Sequence, residues 1–205
     1  MKHDNINIIE GSSPVLISAP HAVPIKKNVD GRIYTRKAEK KVSEIVNVLA
    51  QNTGAWGIHT VSKGSLEGWK QEIYGIYKKN VRQIVRSRGV SLVVDIHAAK
   101  SDRPFYIDYD FVLPNKHPHD RAVESMFCHH YLQYFPSHKL SRGYYREEKG
   151  SGKNTLTFYV RNYLKIPAIQ IEINKTLKQD EESFRDILKM LYSFIKDYEN
   201  TVTRV

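Results

Sequence analysis

The sequence predicts an α/β protein, a three-layer α/β/α sandwich around a central mixed, mostly parallel sheet. Three observations predict it. Short apolar runs of strand length alternate along the chain with stretches of helical periodicity. Three of the runs, in PVLISAPHA at 14–22, SLVVDIHAA at 91–99 and IPAIQIEIN at 166–174, are apolar at nearly every position, as strands covered on both faces are. Each delivers a polar residue at its end, His21, His97 or Glu172, which places all three at one edge of the sheet, the usual position of an α/β site.

The elements follow in order. Residues 5–9 and 14–18 read as strands separated by the turn Gly11-Ser12-Ser13-Pro14, forming either a hairpin or neighbouring strands. An irregular basic stretch is expected from His21 to Arg32. A helix is expected from about Thr35, its N-cap, to Gln51, with Ala38, Val42, Ile45, Val46 and Leu49 on one face. Residues 57–62 read as a strand and 63–69 as a glycine-containing loop. A helix over about 70–88 carries Ile73, Tyr77, Val81 and Ile84 on one face and ends at Gly89. Val90–Ile96 is the strongest strand and belongs at the centre of the sheet, with His97 just past it. The alternation in 104–113 predicts an antiparallel strand, followed by a loop over Pro114–Pro118 and a helix from about His119 to Phe135. Residues 143–152 read as turn-rich, Thr155–Leu164 as helical, Pro167–Ile173 as a buried strand, and about 180–199 as a closing amphipathic helix.

Composition bounds the function classes. The 205 residues fit a single domain, 1–205, and 40% are hydrophobic. No apolar run approaches the length of a membrane span and the N-terminus has no signal-like apolar stretch, so a cytoplasmic protein with no membrane partner is expected. The single Cys128 rules out an intramolecular disulfide and a cysteine-rich zinc knuckle, leaving His and carboxylates as metal ligands. Glycine spacing provides neither a dinucleotide fingerprint nor a phosphate-binding loop. The charge, 32 Lys and Arg against 22 Asp and Glu, raises nucleic acid as an alternative partner. The excess is spread and interrupted by acids, which points instead to a solvated basic surface that steers a small, anionic substrate.

Two imidazoles and a carboxylate gathered from distant segments are the ingredients of a metal-hydrolase site. His21, held behind Pro20, is either a ligand or a structural loop histidine. Asp95 and His97 alternate on one strand and share a face, which makes His97 a ligand with Asp95 as its supporting carboxylate, or the two a self-satisfied polar pair. Glu172, with Gln170 on its own face, is placed to serve as general base toward a bound water, or to pair with Lys175. Catalytic zinc takes three protein groups. Glu39, in the first turns of the helix after His21, is the choice for the third, narrowly above Asp30 and Glu44. His59, His117, His119, His129 and His130 read as surface or core residues.

The segments PVLISAPHAV, GRIYTRKAEKKV, VVDIHAAKSDRP and IPAIQIEIN, in this order, resemble the N-formylglutamate amidohydrolase family, a branch of the zinc carboxypeptidase-like hydrolases. The resemblance covers roughly residues 14–175. It implies a phosphorylase/hydrolase-like fold, one zinc ion held by His21, Glu39 and His97, and Glu172 as the carboxylate that activates water. It also makes Arg36 and Arg103 candidates to bind the substrate carboxylate or the oxyanion. The chain departs from the family pattern in Ala22-Val23 after the PH motif and in GSLEGWKQEIYG, which bears on the substrate: N-formylglutamate, another N-acyl amino acid or a peptide-like amide. A metal-binding relative without activity is the remaining alternative.

Overall fold

The computed structural model describes residues 4–29, 32–61, 71–111, 118–144 and 155–202. Seven strands form one sheet: β1 (Ile6–Ile9), β2 (Val15–Ala19), β5 (Trp56–Thr60), β6 (Leu92–Ala99), β7 (Ile107–Asp110), β8 (Leu140–Arg142) and β9 (Ala168–Asn174). Their order is β1-β5-β2-β6-β9-β7-β8, with β6 at the centre. The inner strands β5, β2, β6 and β9 are parallel, while β1 and β7 run antiparallel to β5 and β9. This is the mixed, mostly parallel sheet that the apolar runs predict. The glycine-serine turn does not close a hairpin, because β1 pairs with β5 and not with β2. Gly11 is required there: a Cβ would stand 2.4 Å from the Gly54 carbonyl oxygen.

Both faces are covered by helices, as buried parallel strands demand. On one face Ile17, Val94, Ile96 and Ile171 pack against α1 (Val42–Thr53), α3 (Pro118–Tyr134) and the C-terminal helix α6 (Glu181–Val202), through Ile45, Leu49, Phe127, Leu191 and Phe194. On the other, Leu16, Ile58, Val93 and Ala168 meet Tyr77, Val81 and Ile84 of α2 (Gln71–Ser87) and Leu156 and Val160. Leu156 opens α4 (Leu156–Tyr159), capped by Thr155, whose side chain accepts from the Phe158 amide; a π-helical turn, Val160–Leu164, continues it. The short α5 (Lys175–Gln179) links β9 to α6. Among the described residues no helix is long and apolar enough to cross a membrane.

Three expectations are corrected. The stretch after His21 is a two-stranded antiparallel ribbon, β3 (Ile25–Val29) with β4 (Arg32–Arg36), where cross-strand pairing supplies an order that basic composition hides. Thr35 lies in β4 and is no helix cap. The helix starts later, at Val42, after Lys41 adopts a left-handed conformation (φ 64°). Glu39 therefore sits in the connector between β4 and α1 rather than on a helix. His97 is inside β6, which continues to Ala99 because β9 pairs with it along that length. The strand β8 had no periodic signal in three residues. The loop expected at 63–69 lies outside the described residues, as do most of 114–118 and of 143–152.

Candidate active site

Strand register assembles the site. Parallel pairing sets Ser18 beside Asp95, Asp95 beside Gln170 and His97 beside Glu172, and antiparallel pairing sets Asp108 beside Glu172. Side chains of paired residues share a face. One face of four strands thus presents a row of buried polar groups at the C-terminal ends of β2, β6 and β9, where loops and helices close over it. Ser18, Asp95, His97, Asp108 and Glu172 are almost wholly buried, so each needs a partner or a bound group to offset desolvation.

The partners are specific. His97 Nε2 donates to Asp95 Oδ2 at 3.0 Å, and Asp95 Oδ1 accepts from the Ser18 hydroxyl at 2.8 Å. Ser18 Oγ lies 2.9 Å from the Tyr77 hydroxyl, which donates to the Ile58 carbonyl and accepts from the Ala19 amide. This chain ties the central strand to β2, to β5 beyond it and to α2, and it fixes the imidazole. The other ring nitrogen, Nδ1, is buried, makes no hydrogen bond of good geometry, and lies 3.3 Å from Glu39 Oε2. Glu39 is held by two backbone bonds: its own amide donates to the His21 carbonyl at 3.0 Å, and its Oε2 accepts from the Ala98 amide at 3.0 Å. Those bonds explain why a connector residue is 7% exposed, while Glu44, in the first turn of α1, is exposed and Asp30 is outside the described residues. Burial pushes the His97 pKa down, but the Asp95 and Glu39 carboxylates together outweigh it and hold the pKa well above the ordinary value.

His21 completes the neighbourhood. Its ring centre is 5.2 Å from that of His97, tilted by 51°, and its other side stacks toward Tyr74 of α2 at 6.4 Å. Two imidazoles sharing a tetrahedral zinc, with nitrogens about 2.0–2.1 Å from it, have ring centres about 5 Å apart. Among the described residues no three His, Cys, Asp or Glu side chains form a ready-made metal cage. The His97 nitrogen and the Glu39 oxygen nonetheless converge, and the donor set of two imidazoles and one carboxylate suits zinc. Glu172 is adjacent on β9, with Oε1 accepting from Gln170 Nε2 at 3.0 Å. It is neither at a sheet edge nor exposed, so the surface pair with Lys175 does not describe it.

Arg103 is half-buried within the loop that joins β6 to β7. Its guanidinium donates to the Tyr144 hydroxyl at 3.4 Å and lies 5.5 Å from the centre of that ring. Asn174, the last residue of β9, anchors the same loop by donating to the Arg103 and Phe105 carbonyls at 3.3 and 2.9 Å. Arg36 ends β4 opposite Ile25, and its side chain lies outside the described residues. The remaining histidines with described side chains have other roles. His59 is buried against Asn7, His130 pairs with Asp197 at 2.9 Å, and His129 is exposed beside Gln133. His117 is outside the described residues, and so is the side chain of His119.

Sequence reasoning missed Ser18, Asp108 and Lys178. Asp108, 1% exposed, accepts from the Tyr144 amide at 3.1 Å. The register of β7 against β9 brings it opposite Glu172, and its place in the alternating run 104–113 was the only signal. Lys178 is 3% exposed in α5, and burial pushes its pKa down to about 8 against the opposing pull of Glu39 and Glu172. Its surroundings, KTLKQDEE, read as surface.

The chain matches no protein-family model and no curated protein. It is similar in three dimensions to solved structures over nearly its whole length. With the N-formylglutamate amidohydrolase of Ralstonia eutropha JMP134 it shares 9% identity at a TM-score of 0.66, covering 98% of each chain. With the CwlD amidase of Clostridioides difficile, solved in complex with the GerS lipoprotein, it shares 15% identity at 0.57, covering 91% of this chain and 98% of that one. With a zinc-free form of YNDL it shares 13% identity at 0.57, covering 97% and 93%. These likenesses establish the fold, an α/β architecture common to an amidohydrolase and an amidase. The resemblance carried by the four sequence motifs is matched in the arrangement of the elements that bear them.

Proposed function

We propose that the protein is a zinc-dependent amidohydrolase that cleaves a C–N amide bond of a small N-acyl amino acid, N-formyl included, or of a peptide-like substrate. One observation carries the reading: His97 Nδ1 faces Glu39 Oε2 at 3.3 Å while Nε2 of the same ring is committed to Asp95. A carboxylate on the far nitrogen of a ligating histidine sets its tautomer and raises its basicity, the arrangement that surrounds protein-bound zinc. The neighbours support it in kind, being an amidohydrolase, an amidase and a protein described in a zinc-free form.

In this reading His21, Glu39 and His97 hold one zinc ion. Bound there, zinc lowers the pKa of a water to about 7 and polarises the scissile carbonyl. Glu172 takes the water proton and passes it to the leaving nitrogen. The Gln170 amide bonded to its Oε1 helps to fix the rotamer of that carboxylate. Asp95 orients His97 through the bond to Nε2 and does not touch substrate. Arg103, and Arg36 at the end of β4, bind the carboxylate of an anionic substrate, Arg103 through a fork already oriented by Tyr144. The reading makes the partner a small molecule, with neither a membrane nor a specific nucleic acid, and takes the protein as cytoplasmic, in keeping with its one unpaired cysteine.

The test combines metal analysis with a substrate screen. Purified protein is expected to hold about one zinc per chain, and H97A to lose it. E172Q is expected to keep the metal and lose about 10²–10⁴-fold in kcat on whichever N-acyl amino acid the wild type hydrolyses. Zinc retained in H97A, or activity retained in E172Q, overturns the assignment.

A further inference from the structure

A polar residue follows Glu172 on the same face of β9. Period two puts Gln170, Glu172 and Asn174 on one side of the strand, with Glu172 and Asn174 about 6.6 Å apart along it. Asn174 is 3% exposed, and its side chain uses all of its hydrogen-bonding capacity. Oδ1 accepts from the Thr176 amide at 3.0 Å and from the Thr176 hydroxyl at 2.9 Å, while Nδ2 donates to the Phe105 carbonyl at 2.9 Å and to the Arg103 carbonyl at 3.3 Å. A backbone amide can only donate, so Thr176 fixes which way the Asn174 amide faces. The Asn174 backbone is held as well, pairing with Ala99 of β6 and donating to the Tyr106 carbonyl at 2.9 Å.

These bonds hold the stretch that presents Arg103. Arg103 and Phe105 flank Pro104 in the loop between β6 and β7, and both side chains rest on Tyr144: the guanidinium lies 5.5 Å from the ring centre, and the Phe105 ring meets it edge-on at 5.2 Å. Within the loop the Arg103 amide reaches the Lys100 carbonyl at 3.4 Å, a long bond. The two donors of Asn174 therefore tie the backbone on either side of Pro104 to the strand that bears Glu172. Other side chains do not reproduce this. Ionised aspartate has the length and no donor, serine keeps an acceptor for Thr176 and is too short to bridge two carbonyls, and glutamine is one methylene too long.

We propose that Asn174 is a specificity-determining residue that positions Arg103: by fixing the Arg103 loop against β9 it sets the guanidinium at a defined place relative to Glu172, and so selects N-acyl amino acids with a free carboxylate. It is a positioning residue, acting through Arg103 without touching substrate. This rests on the hydrolase reading above, with Arg103 as the carboxylate fork. It predicts a pattern that a merely structural asparagine does not: the loss falls on binding of the carboxylate and spares both the chemical step and substrates that lack the charge.

The experiment compares wild type, N174S, N174D, R103M and the double variant R103M/N174S in the zinc-loaded full chain, with T176A as a control on the capping side of Asn174. The probes are a panel of N-formyl and N-acetyl amino acids and, for each, its counterpart with carboxamide in place of carboxylate. Wild type is expected to favour the carboxylate member of a pair in kcat/KM. N174S and N174D are expected to raise KM for that member at least about ten-fold with kcat held within about three-fold, and to leave the carboxamide member within about two-fold. The same ratio is expected in calorimetric affinities for the carboxylate member on the E172Q background, where turnover does not intervene. R103M/N174S is expected to be no worse than R103M, because both substitutions act on one interaction. T176A keeps the loop donors and is expected to stay within about two-fold of wild type. Thermal midpoints and zinc content check that each variant is folded, and N174D carries the test if N174S does not fold. Equal losses on both members of a pair, or losses that multiply in the double variant, overturn the role of Asn174 and leave the hydrolase reading standing. A wild type indifferent to the carboxylate overturns it by removing the role of Arg103. A wild type that hydrolyses no member of the panel overturns both readings.

Discussion

If the site binds zinc as proposed, substituting Asp95 separates metal binding from the fold. Asp95 is 1% exposed and accepts two hydrogen bonds, from Ser18 Oγ at 2.8 Å and His97 Nε2 at 3.0 Å. Asparagine has the same shape. Its carbonyl oxygen keeps the His97 bond, and its amide donates to Ser18 Oγ, whose proton turns to the Tyr77 hydroxyl 2.9 Å away. The polar network stays satisfied, so unfolding in urea is expected to change by no more than about 1 kcal/mol. The charge behind the imidazole is gone, however, and loss of such a supporting group weakens metal binding about 10–100-fold, equivalent to about 1.4–2.8 kcal/mol. Alanine at the same position strands a buried donor on His97, costing about 1–3 kcal/mol, while the Ser18 proton again turns to Tyr77, and is expected to lower stability as well as zinc affinity. Chelator competition and urea denaturation on wild type, D95N and D95A give both quantities. Zinc binding by D95N within about two-fold of wild type would refute the reasoning, because the carboxylate would then not act through His97.

Two further outcomes test the scaffold. Arg161 of the π-helical turn donates through both terminal nitrogens to Asp120 of α3, one bond at 2.6 Å, with 8% and 2% of the two side chains exposed; R161M strands that carboxylate and is expected to cost about 3–5 kcal/mol in urea unfolding, much of it recovered when D120L is added. A loss under about 1 kcal/mol would mean that water reaches the pair. His59 is buried with Nδ1 donating to the Thr60 carbonyl, and burial lowers its pKa below the ordinary 6.5 despite that bond. As pH falls below about 6.5 the unfolded chain takes up a proton that the folded one refuses, so the stability present above that pH is lost on acidification, by at most about 1.4 kcal/mol per pH unit. H59Q is expected to flatten that part of the stability profile between pH 5 and 7, and an unchanged slope would assign the acid sensitivity elsewhere.

Much of the architecture is legible in the sequence because burial on both faces is written residue by residue. β2, β6 and β9 are buried at nearly every position, and apolar residues fill most of them. The same runs expose Asp95, His97 and Glu172 as polar residues out of place, and period two assigns the first two to a common face. What hid was whatever depended on long-range pairing. The β3–β4 ribbon draws its order from cross-strand partners, and its composition, rich in lysine and arginine, carries no alternation. Glu39 was placed on a helix because the apolar stripe of α1 extends backwards by chance through Ala38, and only the left-handed turn at Lys41 ends the helix short of it.

The sequence by itself determined the sheet, the polar residues at its C-terminal ends and the spacing that puts Asp95 behind His97, since these follow from local periodicity and from the cost of burying charge. The tertiary structure alone decided which groups meet. Register between β6, β9 and β7 aligned His97, Glu172 and Asp108, and the Ala98 amide drew in Glu39 from a connector. Packing of α5 buried Lys178. Contacts between residues 59 positions apart leave no periodic trace along the chain, because they arise only when separate elements are brought together in space.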